Sequence, residues 1–155
     1  MNYWLMKSEP GEFSIDDLKR VKEEPWSGVR NYAARNYMVR DMKVGDRVLF
    51  YHSSCDVPGV YGIATVSHAA EPDMSQFDQH SDYFDRKAKK EKPIWYGVRV
   101  RFVRKLKYPV TLTALKADRK LKNMVIFKSS RLSVSPVTKP EYERIIALAK
   151  PAKRS

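Results

Sequence analysis

A single cysteine, Cys55, among 155 residues rules out an internal disulfide framework and predicts a reducing, cytoplasmic setting. The three histidines, His52, His68 and His80, do not fall at metal-ligand spacing with Cys55 or with carboxylates, so no metal is expected. There is no phosphate-cradling P-loop and no G-x-G-x-x-G turn, which argues against ATP-driven or dinucleotide chemistry, and no cofactor is expected. No run approaches the roughly 20 apolar residues of a membrane span. The first residues, Met1 to Glu9, lack the basic region, apolar run and small-residue cleavage site of a signal peptide. No Gly/Ser/Pro-rich linker, internal repeat or low-complexity tract divides the chain, apart from one basic run. The expectation is one soluble domain over residues 1–150 with a basic tail at 151–155, monomeric and away from membranes.

What is present is positive charge. Thirty Lys and Arg stand against eighteen Asp and Glu, a formal net charge of +12, while a hydrophobic fraction of 43% is ample for a packed core. The charge is uneven. Residues 1–80 hold nine basic and twelve acidic side chains, and residues 81–155 hold twenty-one and six. Three clusters carry most of it: Arg86 to Lys92, Arg99 to Lys107, and Arg119 to Lys122. Such asymmetry fits either a solubilising face or an anionic partner, since each phosphate neutralised releases a condensed counterion.

The pattern along the chain mixes short strands and helices. Tyr3 to Ser8 reads as a buried strand, and Ser14 with Asp17 as a capping box that starts a helix, with Phe13 and Leu18 as its hydrophobic staple. Asn31 to Arg40 reads as a second helix. Asp46 to His52 and Val60 to Val66 form a hairpin around the turn-rich Ser53 to Gly59. Residues 67–93, polar and carrying Pro72 and Pro93, read as a long excursion. Beyond it Tyr96, Val98, Val100 and Phe102 alternate with Gly97, Arg99 and Arg101 as a strand with a basic face. Thr111 caps a short helix through Lys116, Leu132 to Pro136 is a further strand, and Thr138 with Glu141 opens a last helix. Strict strand–helix alternation is absent, so the class is α+β with a small barrel-like sheet.

Two stretches carry residues that a plain fold does not require. Lys7, Ser8 and Glu9, where a strand ends, place a cation, a hydroxyl and a carboxylate together, a set able to contact a phosphate and a base edge at once. Trp26, Ser27, Gly28, Val29, Arg30 and Asn31 put a tryptophan on a loop beside hydrogen-bonding groups; it is either a core plug or a stacking wall. A Cys55–His52 nucleophile pair is allowed by spacing alone, although a loop cysteine beside a strand histidine needs no such role.

Five blocks resemble the signature of the EVE domain family: Tyr3 to Pro10, Trp26 to Asn36, Gly45 to Ser53, Pro93-Ile94-Trp95-Tyr96, and Ser130 to Val134. They occur in order over nearly the whole chain. The resemblance implies a PUA-like fold, a twisted β-barrel of about five to six strands flanked by short helices, and kinship with YTH domains, readers of N6-methyladenine in RNA. Carried over, Trp26 is similar to the tryptophan that forms one wall of the YTH aromatic cage, and Lys7 and Ser8 match the strand-end pair near the nucleotide. Glu9 stands where those readers place an asparagine. An ionised carboxylate only accepts hydrogen bonds, so Glu9 favours a base edge that donates, such as the exocyclic amine of cytosine.

The resemblance therefore implies a nucleic-acid-binding module for modified DNA or RNA. In it a modified base, 5-methyl- or 5-hydroxymethylcytosine, is flipped into a pocket of Trp26, Ser27, Val29, Asn31, Lys7, Ser8, Glu9, Phe50, Tyr51 and His52. A second aromatic wall is expected from Phe77, Tyr83 or Phe84. Phosphate contacts are expected from Arg30, Arg35, Lys87, Lys89, Lys90, Arg99, Arg101, Arg119 and Lys120. One alternative is an amidohydrolase-like enzyme acting on a modified nucleoside, with Lys7 and Glu9 as base and acid. No threonine stands beside them, and Ser8 or Ser27 would have to attack without an adjacent histidine. The other alternative is a protein-interaction module with a solubilising basic face.

Overall fold

The computed structural model describes residues 1–150; the basic tail at 151–155 lies outside the described residues. Six strands form one mixed sheet in the order β2-β5-β4-β3-β1-β6. They are β1 (Tyr3–Ser8), β2 (Glu23–Pro25), β3 (Arg47–His52), β4 (Gly59–Pro72), β5 (Tyr96–Thr111) and β6 (Val134–Val137). Five short helices accompany them: α1 (Ile15–Val21), α2 (Tyr32–Asn36), α3 (Leu112–Ala117), α4 (Val125–Lys128) and α5 (Lys139–Leu148). The α+β class and the strand number agree with expectation. The sheet is open, with β2 and β6 at its two edges. No helix among the described residues is long and apolar enough to cross a membrane.

Local chemistry starts the helices where the sequence places them. Ser14 Oγ accepts from the Asp17 amide (3.1 Å) while Asp17 accepts from the Ser14 amide (2.9 Å), and Thr138 with Glu141 repeats this reciprocal cap on α5. The Asn31 side chain caps α2 and Thr111 caps α3. The helix expected through Arg40 is shorter: its α-helical part stops at Asn36, and a wider π turn carries the chain through Asp41.

Strand alternation splits the core in two. Trp4, Met6, Val48 and Phe50 point to one face and pack with Ile15, Leu18, Trp26, Ala34 and Met38. Leu5, Leu49 and Tyr51 point to the other and pack with Leu115, Leu121, Met124 and Ile145. The long β4–β5 ribbon serves both. Ala64 pairs with Phe102 but Ile63 pairs with Arg104, so Val103 is an extra residue. That bulge sends Leu106 to the second core although Phe102, at an equally even position, packs on the first.

The strand β4 runs on to Pro72, so the excursion expected from residue 67 begins only at Asp73. Ser67, His68 and Glu71 are polar because this end of the ribbon faces solvent, not because it leaves the sheet. The edge strand β2, unanticipated, pairs Glu23, Glu24 and Pro25 with Arg101, Val100 and Arg99.

Candidate nucleic-acid interface

The strands β1 and β3 run parallel and end together, Ser8 opposite His52. Past those ends, between the loops that follow and residues 24–31, lies a cleft of about 760 Å³. That volume falls within the roughly 300–1,000 Å³ of small-ligand sites. Lys7, Ser8 and Glu9 enter it from the end of β1, and Trp26 to Asn31 enter from the loop before α2. Glu12, Ser53, Ser54, Tyr83 and Arg131 supply much of the rim.

Trp26 proves to be both a core residue and a wall. Only 8% exposed, it packs edge-on against Phe50 at 5.6 Å and 86°, and the remainder of it lines the cleft. Its amide donates to the Val98 carbonyl (2.8 Å), bringing the loop flush onto β5. A Cβ at Gly97 would run into the Trp26 carbonyl, so only glycine fits there. Gly28 adopts a left-handed φ of +81°, and a Cβ on it would stand 2.8 Å from the Tyr83 ring. The loop thus passes directly beneath Tyr83.

A buried knot holds this arrangement together. The Asp73 side chain, 2% exposed, accepts from the Gly28 amide (2.8 Å), Arg30 Nη1 (3.1 Å), the Ser75 amide (2.9 Å) and Ser75 Oγ (2.6 Å). Burial alone would raise its carboxyl pKa; the bonds from Ser75, Gly28 and Arg30 outweigh burial and hold it below the ordinary carboxylate value. Arg30 also donates to the Tyr83 carbonyl through Nε (3.0 Å) and Nη2 (2.7 Å). Gln76, fully buried, accepts from the Ile94 and Trp95 amides and donates to the carbonyls of Asp73 and Trp95. Trp95 donates its indole N–H to Asp85 (3.0 Å), a bond that lowers the Asp85 pKa. Residues 73–95 are therefore a tethered segment, which carries Tyr83 into the lining of the cleft.

The cleft is electrically mixed: Lys7, Arg30 and Arg131 face Glu9, Glu12 and Glu24. Burial pushes the Glu24 carboxyl up and the Lys7 ammonium down. Lys7 Nζ donates to the Ser130 carbonyl (2.8 Å) and sits 5.8 Å from the Tyr51 ring centroid. The Ser8 hydroxyl donates to the Phe13 carbonyl (2.6 Å), so it is already engaged.

Of the pocket residues expected from sequence, Lys7, Ser8, Glu9, Trp26, Ser27, Val29, Asn31 and Tyr83 come together here. Asn31 has its carbonyl oxygen committed to capping α2. Phe50, Tyr51 and His52 do not line the cleft. Phe50 is fully buried behind Trp26, and Tyr51 alternates to the opposite face of the sheet. His52 is buried, stacks on Tyr61 at 4.1 Å and accepts the Ile15 amide at Nε2 (3.1 Å). Phe77 and Phe84 are also outside it.

Among the expected phosphate contacts, Arg30 is the bracket just described. Arg35 donates to the Ile94 carbonyl (3.0 Å) and lies over the Tyr32 ring. Arg99 and Arg101 pair with Glu23, and Arg99 also with Glu71, away from the cleft on the β2–β5–β4 surface. Lys87, Lys89, Lys90, Arg119 and Lys120 are exposed and make no ion pair among the described residues. Asp73, Gln76 and Arg131 are site residues that sequence reading missed. The Asx-turn spacing of Asp73 and Ser75 is the one local signal that marks the first of them.

A mixed sheet with helices on both faces, and a cleft past the ends of its parallel strands, defines an α+β domain of the PUA-like kind. The EVE domain family model matches residues 2–148, and the chain belongs to that family. It is similar to the structure of a hypothetical protein from Leishmania major, with 52% identity and a TM-score of 0.94 over 96% of this chain and 94% of that one. It is similar also to the crystal structure of human THYN1 protein in complex with 5-methylcytosine containing DNA, with 38% identity and a TM-score of 0.93 over 99% and 100% of the two chains. Thymocyte nuclear protein 1 from Homo sapiens is 39% identical over 166 residues, covering 95% of this chain and 73% of that protein.

Proposed function

We propose that this protein is a DNA-binding reader that takes a 5-methylcytosine out of its strand into the cleft between Lys7–Glu9 and Trp26–Asn31. The carrying observation is that Trp26 and Tyr83 line one cleft together with Glu9, whose carboxylate has no hydrogen-bond partner among the described residues, in a chain 38% identical to a protein solved with 5-methylcytosine containing DNA. Glu9 accepts from the exocyclic amine of the cytosine, and the aromatic and aliphatic lining receives the ring and its methyl group. Engagement of Ser8 with Phe13, and the lack of any histidine among the cleft residues, favour binding over turnover.

Energetics assign separate tasks to the two halves of the chain. Extruding a base costs a few kcal/mol, and aromatic stacking returns about 1–3 kcal/mol per base. The balance must come from phosphate contacts, and Arg131 in the cleft lining and the exposed Lys87, Lys89, Lys90, Arg119 and Lys120 are, among the described residues, cations free to supply them. The test is a titration of DNA and RNA oligonucleotides, single-stranded and duplex, that differ at one position: cytosine, 5-methylcytosine, 5-hydroxymethylcytosine or N6-methyladenine. Preference for 5-methylcytosine in DNA is expected, over a background that weakens steeply with salt. Tyr83→Ala should lower affinity for the 5-methylcytosine ligand about 5- to 150-fold, toward the unselective background, and leave the salt slope intact, as loss of one stacking contact requires. Equal affinity for all four bases would refute the reading.

A further inference from the structure

A second cleft of about 680 Å³ lies on the opposite face of the sheet, against Tyr51 and the helices α3 and α4. It shares Lys7, Ser53, Ser54 and Ser130 with the first, so the strand ends and the Lys7–Ser130 bond form a septum between the two. Its lining differs in kind. Lys7, Lys116 and Lys122 reach it and no carboxylate does, whereas the first cleft holds three glutamates. Beside these cations stand Phe127 and other apolar side chains. Lys7 is the key to the pairing. It is half-buried, uses one of its three N–H donors on Ser130, and has no carboxylate within ion-pair distance among the described residues. An ammonium withdrawn from water without an anion is costly, and this one sits where the two clefts meet.

We propose that the second cleft receives the nucleotide adjoining the recognised base. The phosphate joining the two crosses the septum at Lys7, Lys116 and Lys122 hold the next phosphate, and the neighbouring base stacks on Phe127. This rests on the reading of the first cleft as the base pocket. Because every base offers a π face and every nucleotide a phosphate, the second cleft adds affinity on one side of the modified base and no sequence preference.

The experiment uses the full chain, fluorescence anisotropy, and single-stranded DNA carrying one 5-methylcytosine or one cytosine. Lys116→Ala with Lys122→Ala, both exposed, should weaken the two ligands by the same factor, about tenfold, and flatten the log–log salt slope by about 0.7 per lysine. Arg101→Ala and Arg104→Ala together remove equal charge from exposed positions that line neither cleft and should change neither quantity. An abasic residue on one side of the 5-methylcytosine should weaken wild-type binding about 5- to 100-fold and leave Phe127→Leu unaffected; on the other side it should do nothing. The inference is overturned if the lysine pair keeps full affinity and slope, if the arginine pair behaves like the lysine pair, or if abasic residues on both sides act alike. If wild type does not separate 5-methylcytosine from cytosine while the lysine and abasic effects stand, the base-pocket reading fails alone. No binding to either ligand overturns both.

Discussion

Replacing Asp73 with asparagine keeps the side-chain volume and removes one of the two acceptor oxygens that gather four donors. The amide N–H₂ must then face either Gly28 and Arg30 or Ser75. The second choice is milder, because the Ser75 hydroxyl, which already accepts from Arg30 Nη2 (3.0 Å), has a second lone pair with which to accept; its own O–H then turns away and the Ser75 amide loses its acceptor. One stranded buried N–H costs about 1–3 kcal/mol. Removing one partner of a fully buried ion pair costs about 3–5 kcal/mol, and here less, because Arg30 keeps the Tyr83 and Val29 carbonyls and is 22% exposed. The sum is about 2–4 kcal/mol, or a fall in Tm of about 4–16 °C for a domain of this size. Because the same knot joins the Gly28 loop to the segment that carries Tyr83, discrimination for 5-methylcytosine should fall with stability even at temperatures where the variant is fully folded. The effect also has a pH signature. The Asp73 carboxyl is held below its unfolded value near about 4, so its contribution is complete above that pH and is lost as pH falls through the lower folded value. Calorimetry of wild type and Asp73→Asn across pH should therefore show a Tm gap that is wide at neutral pH and closes in acid. A gap under about 2 °C at neutral pH, or one that stays constant into acid, would refute the assignment of Asp73 as the tie.

Two further outcomes follow from buried chemistry near the cleft. Burial depresses the His52 pKa, with Asp16 raising it and Lys105 lowering it, so stability is complete above the unfolded value near about 6.5 and is lost as pH falls toward the folded one; His52→Gln, which keeps an acceptor for Ile15, should flatten the decline in Tm between about pH 7 and 5. Gly28→Ala combines a φ of +81° with a Cβ against the Tyr83 ring, so a loss of about 1–3 kcal/mol in chemical denaturation and a weakened 5-methylcytosine preference are expected.

The parts of this fold written in local pattern were legible in the sequence. The reciprocal caps at Ser14 and Thr138, the hairpin of β3 and β4, and the basic alternation of β5 depend on neighbours a few residues apart. The strand β2 did not show, because two glutamates and a proline form a strand only once β5 is beside them. Half of the cleft was legible for the same reason: Lys7 to Glu9 and Trp26 to Asn31 are contiguous blocks. Its other half is made of contacts across 43 to 53 residues, the distances separating Arg30 from Asp73 and from Tyr83. Charge count placed Arg30 on phosphate, whereas geometry turns it inward as a bracket. The resemblance placed Tyr51 beside Phe50 in the pocket, whereas strand alternation separates them by the thickness of the sheet.

The stitching by Gln76 has a consequence for how such a protein diversifies. Its amide closes residues 77–93 at their base, and Asp85 ties to Trp95 further in, so the basic run at 86–92 hangs from two fixed points. Lysines there can be gained, lost or lengthened into a longer arm without disturbing the cleft proposed to receive a base. On the proposed reading, grip and choice of base are separately adjustable traits, and a lineage can trade one against the other by small steps in a single loop.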